Sequence, residues 1–326
     1  MNIFLQELRA RAAKKHAKKI LFPEAKDERV LDAARIVLKE KIAAPVFVCS
    51  SVDVPKVKAL GLASAPMEEK RADSLQELLL ELRSGKLSKE EARALARDPL
   101  MYGMYLLRLG ESDGLVAGAT YTTADVLRAG LWLVGKAEGV QTVSSSFYMI
   151  VPPFRDSGTE EVLTFSDCAV VPQPTAEQLA DIAISAADAR SRIVGDEPKV
   201  ALLSYSTKGS GGSSPSIALV RDTLALVRPR RPDLIIDGEL QADAALSKAI
   251  SERKSPESQV KGTANVLIFP SLDAANISYK LVSSLCPDAH ALGPILQGMK
   301  KPISDLSRGA STDDIVDIVS IVSSQI

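Results

Sequence analysis

Histidine and cysteine are scarce in this sequence, which has two histidines and three cysteines among 326 residues. The cysteines, Cys49, Cys168 and Cys286, lie far apart in or beside apolar runs, so we expect buried free thiols in a reducing compartment. No CxxC pair is present, which argues against a His/Cys metal site. A Ser-His-Asp triad would have to use His16 or His290.

Net charge and long apolar runs are also missing. The 40 basic and 41 acidic residues nearly cancel, so the general electrostatic footprint of a nucleic-acid-binding protein is absent. No run approaches the roughly 18 apolar residues of a membrane span, and no signal peptide is evident. We therefore expect a cytoplasmic protein that binds neither nucleic acid nor membrane and holds any polyanion with a local cluster.

The length and the apolar pattern indicate two α/β domains. A chain of this length carries a prior of about two domains, and its 46% hydrophobic and 25% charged residues are ordinary globular composition. Strand-like runs at Ile20–Phe22 and Val46–Cys49 flank a helical pattern whose apolar face is Val30, Ala34, Val37 and Leu38. This is the βαβ rhythm of a parallel sheet. Capping-box spacing at Ser88 and Glu91, and a helix beginning near Thr122, continue the first α/β unit to about residue 140.

A second α/β unit follows. Short strands are predicted at 143–146, 162–165 and 169–171, and buried strands at 200–203, 234–236 and 266–269. Thr175 and Gln178 predict the start of a helix with Leu179, Ile182, Ala183 and Ala186 facing inward. Ser311 or Thr312 caps a last helix with the apolar face Ile315, Ile318, Val319 and Val322. Periodicity leaves open whether this helix completes the second domain or returns to the first.

A loop rich in hydroxyls and glycine follows the strand that begins at Val200. Glycines let backbone N–H groups approach an anion, hydroxyls donate hydrogen bonds, and a lysine beside a helix N-terminus supplies charge. The lysine precedes the glycine, so neither GxxxxGK[ST] nor GxGxxG is present. The loop indicates a phosphate site, with a flexible surface loop as the alternative; its candidate residues are Ser204, Ser206, Thr207, Lys208, Gly209 and Ser210.

A second polar cluster lies between Asp305 and Asp314. A hydroxyl, a guanidinium and carboxylates fall on a turn that leads into the last helix, which suits catalysis. Asp314 lies three residues after Ser311, so it is also a candidate capping-box acid. Ser307 and Arg308 have the alternative role of ordinary turn residues.

Several long motifs occur in a fixed order along nearly the whole chain. On these motifs the sequence resembles the phosphate acetyltransferase branch of the phosphate acetyl/butyryltransferase family. They are Leu21–Val30, Asp113–Ala119, Leu203–Gly209, Asp237–Asp243, Asn265–Asn276, Gly293–Gly298 and Asp305–Gly309.

The resemblance implies an activity and a fold. The activity is acetyl-CoA plus phosphate in equilibrium with acetyl phosphate plus CoA, with CoA as a substrate, no tightly bound cofactor and no metal. The fold is a two-domain, three-layer α/β/α arrangement similar to the isocitrate and isopropylmalate dehydrogenases, with the active site in a cleft between domains. The C-terminal segment then returns to the first domain, giving domain I at residues 1–143 plus 296–326 and domain II at 144–295. A homodimer that works with an acetate kinase is also implied.

The resemblance assigns roles residue by residue. Ser307, Arg308 and Asp314 match the catalytic serine, arginine and aspartate, while Arg83 and Arg128 match arginines associated with substrate binding. One departure is apparent at residues 283–284, two serines where the family often has an arginine.

These roles lead to a mechanism and to alternatives. We expect direct attack of the CoA thiol in a ternary complex, with Asp314 removing the thiol proton, Arg308 stabilising the oxyanion and the 204–210 loop holding phosphate. A serine nucleophile at Ser307 would instead give an acyl-enzyme and needs a base such as His290. A phosphate butyryltransferase or broad short-acyl enzyme, and a non-catalytic protein that senses acetyl-CoA or acetyl phosphate, remain the competing functions.

Overall fold

The computed structural model describes residues 2–14, 18–155 and 158–326. The chain divides into two compact units. The terminal unit consists of Leu5–Glu138 and Met299–Ile326, and the central unit consists of Gly139–Gly298 with Met1–Phe4. His16, one of the two candidate triad histidines, lies outside the described residues.

The chain up to residue 138 alternates strands and helices. Each strand is short and apolar, and most are followed by a helix with one buried face. In chain order the elements are α1 (Ile3–Lys14), β1 (Lys19–Phe22), α2 (Glu28–Lys39), β2 (Ala44–Cys49), α3 (Val54–Ala59), β3 (Ala63–Pro66), α4 (Glu69–Leu82), α5 (Lys89–Ala96), α6 (Pro99–Arg108), β4 (Gly114–Ala117) and α7 (Thr123–Leu133).

The central unit contains a mixed sheet. Its strand order is β10-β5-β6-β9-β7-β8, in which β5 is antiparallel to both neighbours and the other pairs are parallel. The elements are β5 (Ser144–Val151), β6 (Glu161–Ser166), α8 (Ala176–Ile193), β7 (Lys199–Leu203), α9 (Pro215–Arg230), β8 (Ile235–Leu240), α10 (Ala242–Leu246), α11 (Lys248–Lys254), β9 (Val266–Ile268), α12 (Leu272–Leu285) and β10 (His290–Gln297).

The last two elements belong to the terminal unit. They are β11 (Ile303–Asp305), which pairs parallel to β4, and α13 (Thr312–Ser324), which packs on α2. The sheet of this unit has the order β3-β2-β1-β4-β11 with every pair parallel. The predicted α/β class is thereby confirmed.

Helix starts follow the predicted side-chain caps. The three capping boxes expected from the spacing are present, at Ser88/Glu91, Thr175/Gln178 and Ser311/Asp314, and a fourth at Thr122/Asp125 begins the helix predicted near Thr122. The apolar faces predicted for α8 and α13 are buried. In α2 the prediction is wrong for Leu38, which is 45% exposed, because Leu31 and Ala33 complete the buried face instead.

The strand predicted at residues 169–171 is also wrong. The backbone N–H groups of Ala169, Val170 and Val171 donate to the buried carboxylate of Asp167 at 2.7–3.3 Å. A carboxylate therefore takes the place of a sheet partner, and the segment is a bend and not a strand.

Two further predictions concern thiols and membranes. Cys49 and Cys168 are buried free thiols, whereas Cys286 is only half-buried. None of the helices in the described parts of the chain has the length and apolar character that crossing a bilayer requires.

Candidate functional site

The turn between β11 and α13 carries Ser307 and Arg308, and both side chains are exposed. The backbone N–H of Ala310 donates to the Ser307 carbonyl at 2.9 Å, and the Gly309 N–H donates to Ser307 Oγ at 3.3 Å. The Arg308 guanidinium makes no hydrogen bond or ion pair within the described residues. The turn therefore presents a hydroxyl and a cation side by side.

Asp314 is held by the cap of α13. Its Oδ2 accepts hydrogen bonds from the backbone N–H and the hydroxyl of Ser311, both at 2.8 Å, while its own N–H donates to Ser311 Oγ at 3.2 Å. The capping role predicted for this acid is confirmed, and it fixes a half-buried carboxylate in the first turn of α13, six residues after Arg308 in sequence.

Arg29, near the start of α2, holds the backbone of the segment that carries Ser307 and Arg308. Its Nη1 donates to the carbonyl oxygens of Arg308 at 2.8 Å and Ala310 at 2.9 Å, and its Nη2 donates to the Ala119 carbonyl at 3.3 Å. Asp27 orients the guanidinium by accepting from both Nε and Nη2, at 3.2 and 2.7 Å. The Arg29 guanidinium in turn lowers the pKa of Asp27.

Glu24 organises the loop that follows β4. This carboxylate is 5% exposed and accepts hydrogen bonds from the Thr120 hydroxyl and from backbone N–H groups of the loop. The N–H donors are those of Gly118, Ala119, Thr120 and Tyr121, at 2.5–3.2 Å. The loop leads directly into the capping box of α7, so Glu24 holds the backbone that precedes that helix.

Asp305 is a buried acid two residues before Ser307. Its Oδ2 accepts a hydrogen bond from the Thr123 hydroxyl, while Oδ1 has no partner within the described residues. Burial, and then the nearby Glu24, raise the pKa of Asp305 to about 7, and the Thr123 hydrogen bond opposes this rise. Gly118 lies so close to Oδ1 that a Cβ there would meet it at 2.4 Å, which leaves this side of the carboxyl closed.

Arg83 and Arg128 come together on the only tryptophan of the sequence. The guanidinium carbons lie 4.5 and 5.9 Å from the centroid of the Trp132 ring. Arg128 also donates to Asp125, the capping-box acid of α7. Arg83 follows the last residue of α4, and its Nε has no acceptor in the described chain. The pair therefore places two cations against one aromatic ring.

The hydroxyl- and glycine-rich loop lies in the central unit, between β7 and α9, and most of its candidate side chains are engaged within the fold. The buried Ser206 hydroxyl donates to Glu239 at 3.0 Å, and Thr207 Oγ1 accepts from the Gln241 N–H at 2.9 Å. Lys208 donates to Asp237 at 2.6 Å and to the Gly238 carbonyl at 2.8 Å.

The rest of this loop closes on itself. The Ser204 hydroxyl accepts from the Ser206 N–H at 3.1 Å, Ser210 Oγ accepts from the Thr207 N–H at 2.9 Å, and the Gly209 N–H donates to Glu239 at 2.7 Å. Lys208, Gly209 and Ser210 are the candidates that remain exposed.

Glu239 is the electrostatic centre of this loop. It is 2% exposed and pairs with Arg221 at 2.8 Å. Burial alone would raise the pKa of Glu239, but the Arg221 pair and the hydrogen bonds from Gly209 and Ser206 outweigh it and lower the pKa to about 2. The carboxylate therefore stays charged and ties the loop to β8.

Two remaining predictions concern the serine pair and metals. Ser283 Oγ donates to the Tyr279 carbonyl within α12 at 2.9 Å, and Ser284 is exposed. Among the described residues, no group of three or more His, Cys, Asp or Glu side chains is arranged to hold a metal ion.

The structure thus places Ser307 and Arg308 on the turn before α13 and Asp314 in the first turn of that helix, and it brings Arg83 and Arg128 to one tryptophan. All five residues lie in the terminal unit. The candidates at residues 204–210 lie in the central unit. Sequence reasoning missed Glu24 and Arg29, although both stand in the quoted motif Leu21–Val30. The charged residues of that motif were the signal that could have pointed to these two side chains.

Comparison with known proteins gives a consistent result. A family model described as "Phosphate acetyl/butaryl transferase" matches residues 3–323. A phosphate acetyltransferase of Treponema pallidum is 45% identical over 327 residues, covering 96% of each chain. The crystal structure of a phosphotransacetylase from Streptococcus pyogenes superposes with a TM-score of 0.89 at 37% identity, covering 100% of this chain and 99% of that one.

A more distant likeness concerns the fold alone. A 4-hydroxythreonine-4-phosphate dehydrogenase from Klebsiella pneumoniae has a TM-score of 0.54 at 10% identity, covering 94% of this chain and 98% of the other. This agrees with the predicted dehydrogenase-like architecture. Together, the full-length match and the shared fold show that the chain belongs to the phosphate acetyl/butyryltransferase family.

Proposed function

We propose that this chain catalyses reversible transfer of an acetyl group between the CoA thiol and inorganic phosphate. The observation that carries the proposal is the short segment from Ser307 to Asp314, a turn and the start of α13, which bears Ser307, Arg308 and Asp314. The relatives of this chain include phosphate acetyltransferases that match over nearly their full length. Acetyl-CoA plus phosphate gives acetyl phosphate plus CoA. In this direction the C–O bond to phosphate forms and the thioester C–S bond breaks.

The CoA thiol attacks the acetyl carbonyl directly in this mechanism. A thiol with a pKa near 8.5 is mostly protonated at neutral pH, and a carboxylate with the reference pKa of aspartate, about 3.9, is a weak base for it. The difference of roughly 4.6 units corresponds to about 6 kcal/mol. Proton removal by Asp314 is therefore concerted with attack, so that no free thiolate has to form first.

Arg308 offsets much of that cost in the proposed transition state. Its exposed guanidinium stabilises the developing oxyanion, a role in which one donor is worth about 3–4 kcal/mol. Ser307 donates a hydrogen bond from its hydroxyl group to the carbonyl oxygen or to the thiol. Direct transfer is favoured over an acyl-enzyme because no histidine accompanies Ser307 among the described residues of the turn.

Arg83 and Arg128 bind the anionic part of CoA. Two guanidiniums over Trp132 offer charge for phosphate and an aromatic face beside it. Because Trp132 is the only tryptophan, its fluorescence reports binding at this place. We expect CoA to change that fluorescence, with an affinity that falls in Arg83→Ala and Arg128→Ala but not in Arg93→Ala, an exposed arginine on α5.

The loop at residues 204–210 holds the phosphate in our proposal. Lys208 and the exposed Ser210 supply the charge and a donor, while Ser204, Ser206, Thr207 and Gly209 shape the loop. The ammonium of Lys208 has to be shared between the anion and Asp237, which lies 2.6 Å away.

The decisive assay follows thioester formation from CoA and an acyl phosphate, with a chelator present because no metal takes part in the proposed reaction. Fast, chelator-insensitive reaction that prefers acetyl phosphate supports the proposal. Preference for butyryl phosphate reassigns the chain to a butyryl or broad short-acyl enzyme, since one methylene is worth only about 1–3 kcal/mol in a pocket. Binding of CoA without turnover of either substrate would favour a sensing protein.

A homodimer is implied by the family resemblance, and one helix offers a face for it. On α12, Ile277, Leu281 and Leu285 recur every four residues and are 57, 52 and 79% exposed. A second copy covering this apolar stripe would remove it from water. Light scattering should give a dimer for the parent and for Leu109→Glu on the terminal unit, but a monomer for Leu281→Glu. A dimer in Leu281→Glu contradicts the assignment of this face.

The cellular setting follows from the same resemblance. We place the enzyme in the cytoplasm, working with an acetate kinase through their shared acetyl phosphate.

A further inference from the structure

We infer that Arg29 is a positioning residue for acyl transfer, which acts by holding the backbone of the Ser307–Ala310 turn. The inference rests on the proposed function, since it assigns Arg29 to the support of that same site. Arg29 has no role in the mechanism described above, and its contacts with the turn are to main-chain carbonyls.

The contacts are those of a clamp. Nη1 donates to the carbonyls on either side of Gly309, those of Arg308 and Ala310, at 2.8 and 2.9 Å. These carbonyls lie about 280 residues away along the chain, so the interaction is purely tertiary. A turn whose carbonyls are fixed on both sides of a glycine has little freedom to change the direction of the Arg308 and Ser307 side chains.

The guanidinium is itself held rigidly. Asp27 accepts from two of its nitrogens and is 11% exposed, whereas Arg29 is 36% exposed. The planar, forked guanidinium serves this carboxylate and several carbonyls at once, which an ammonium on a flexible stem does not reproduce. Asp27 also caps α2 by accepting hydrogen bonds from the N–H groups of Arg29 and Val30. The ion pair of Asp27 and Arg29 is therefore anchored to the start of a helix.

The clamp reaches a second functional segment. Nη2 of Arg29 donates to the Ala119 carbonyl in the loop that Glu24 organises and that leads into α7, the helix of Arg128 and Trp132. One guanidinium thereby ties the catalytic turn to the segment that starts the proposed CoA-binding helix. Displacement of a reacting group by about 1 Å costs on the order of 100-fold in rate, so the position of this turn matters to chemistry.

The experiment compares kcat with CoA binding in Arg29→Ala and Arg29→Lys. We expect kcat for thioester formation to fall about 100-fold in Arg29→Ala and about 10-fold in Arg29→Lys, while the dissociation constant of CoA, read from Trp132 fluorescence, changes less than about threefold. Millimolar guanidinium should restore part of the kcat of Arg29→Ala and none of the kcat of Arg308→Ala.

Two variants keep the test interpretable. Arg35→Ala removes an exposed arginine from the same helix, paired only to Asp32 at 3.5 Å, and should keep the parent kcat. Asp27→Asn preserves a good helix cap but removes the ion pair, so it should lower kcat even if Arg29→Ala does not fold.

The outcomes separate the inference from the function on which it rests. A parent protein without acyl transfer overturns the proposed function. A fully active parent together with Arg29→Lys and Asp27→Asn variants that keep kcat within about threefold overturns the positioning role alone. Loss of kcat and CoA affinity in equal measure, without guanidinium rescue, also overturns it, because that result describes general disruption of the fold.

Discussion

The turn at Ser307 and the loop at Ser204 are both polar, glycine-containing segments that follow a strand and lead into a helix, yet they use their side chains in opposite ways. At the turn, Arg308 is exposed and the backbone is held by Arg29 from another element. In the loop, the side chains of Ser206 and Lys208 themselves hold the backbone in place, because they bind the carboxylates of Glu239 and Asp237 on β8.

The difference shows how to distinguish a side chain that is available to bind substrate from one that holds the protein backbone in place. A residue available for substrate requires that other residues hold its backbone, as Arg29 does for the turn. Composition alone does not reveal this division of labour, since both segments contain serine, glycine and one cation. The following predictions test it, beginning with the largest effect.

Replacing Arg308 with glutamine should remove chemistry and leave the fold intact. We expect kcat to fall about 100- to 1000-fold, because one oxyanion donor is lost, with an unchanged melting temperature because the guanidinium has no partner in the described chain. Steady-state kinetics and thermal unfolding measure the two effects. An active Arg308→Gln variant, or one that melts early, would place Arg308 among the supporting residues.

The two segments should respond to pH with opposite signs. The pKa of Asp305 is raised to about 7, so its stabilising contribution is present below the unfolded value of 3.8 and is lost as pH rises through 7. Asp305→Asn should gain unfolding free energy over the parent between pH 4 and pH 8, by at most about 4 kcal/mol. Denaturant titrations across this range measure the gain, and a constant difference at all pH values would contradict the assignment.

Glu239 supplies the matching control for the loop. Its pKa is lowered to about 2, so its contribution is present above the unfolded value of 4.5 and is lost as pH falls from there toward 2. Glu239→Gln should therefore lower the free energy of unfolding mainly above pH 5, and it should leave the change between pH 4 and pH 8 that is attributed to Asp305 untouched.

Lys208→Met gives the smallest and most discriminating effect. If Lys208 shares its ammonium with phosphate, KM for acetyl phosphate should rise about tenfold, the value of one charge-assisted hydrogen bond. Lys254→Met, which removes a comparable pair with Asp243 at 2.8 Å, is the control. An unchanged KM with a lowered melting temperature would make the whole loop structural.

Much of the fold was predictable because its signals are local. Capping boxes depend on residues three apart, and the apolar faces of α8 and α13 follow helical spacing, so both were found. The bend at residues 169–171 was missed because its N–H groups bond to Asp167, and an apolar triplet gives no sign of that partner. The domain limits and the catalytic roles stay predictions.

The support of the candidate site could not be predicted because its signals are distant in sequence. Arg83 and Trp132 are 49 residues apart, and Arg29 meets the Arg308 carbonyl across 279 residues. A single sequence records neither contact. Family resemblance supplied the residues of the turn, but only the coordinates show which side chains hold them in place.

The Glu24 carboxylate has one more consequence. Consecutive backbone N–H groups that point into one concave space form a nest that binds anions. In this chain the nest at residues 118–121 is filled by the protein's own Glu24, which accepts from every one of those N–H groups. The Glu24 carboxylate thereby occupies a position where a free phosphate would otherwise bind. The end of β4 is closed to phosphate in this way, so substrate is not held there unproductively.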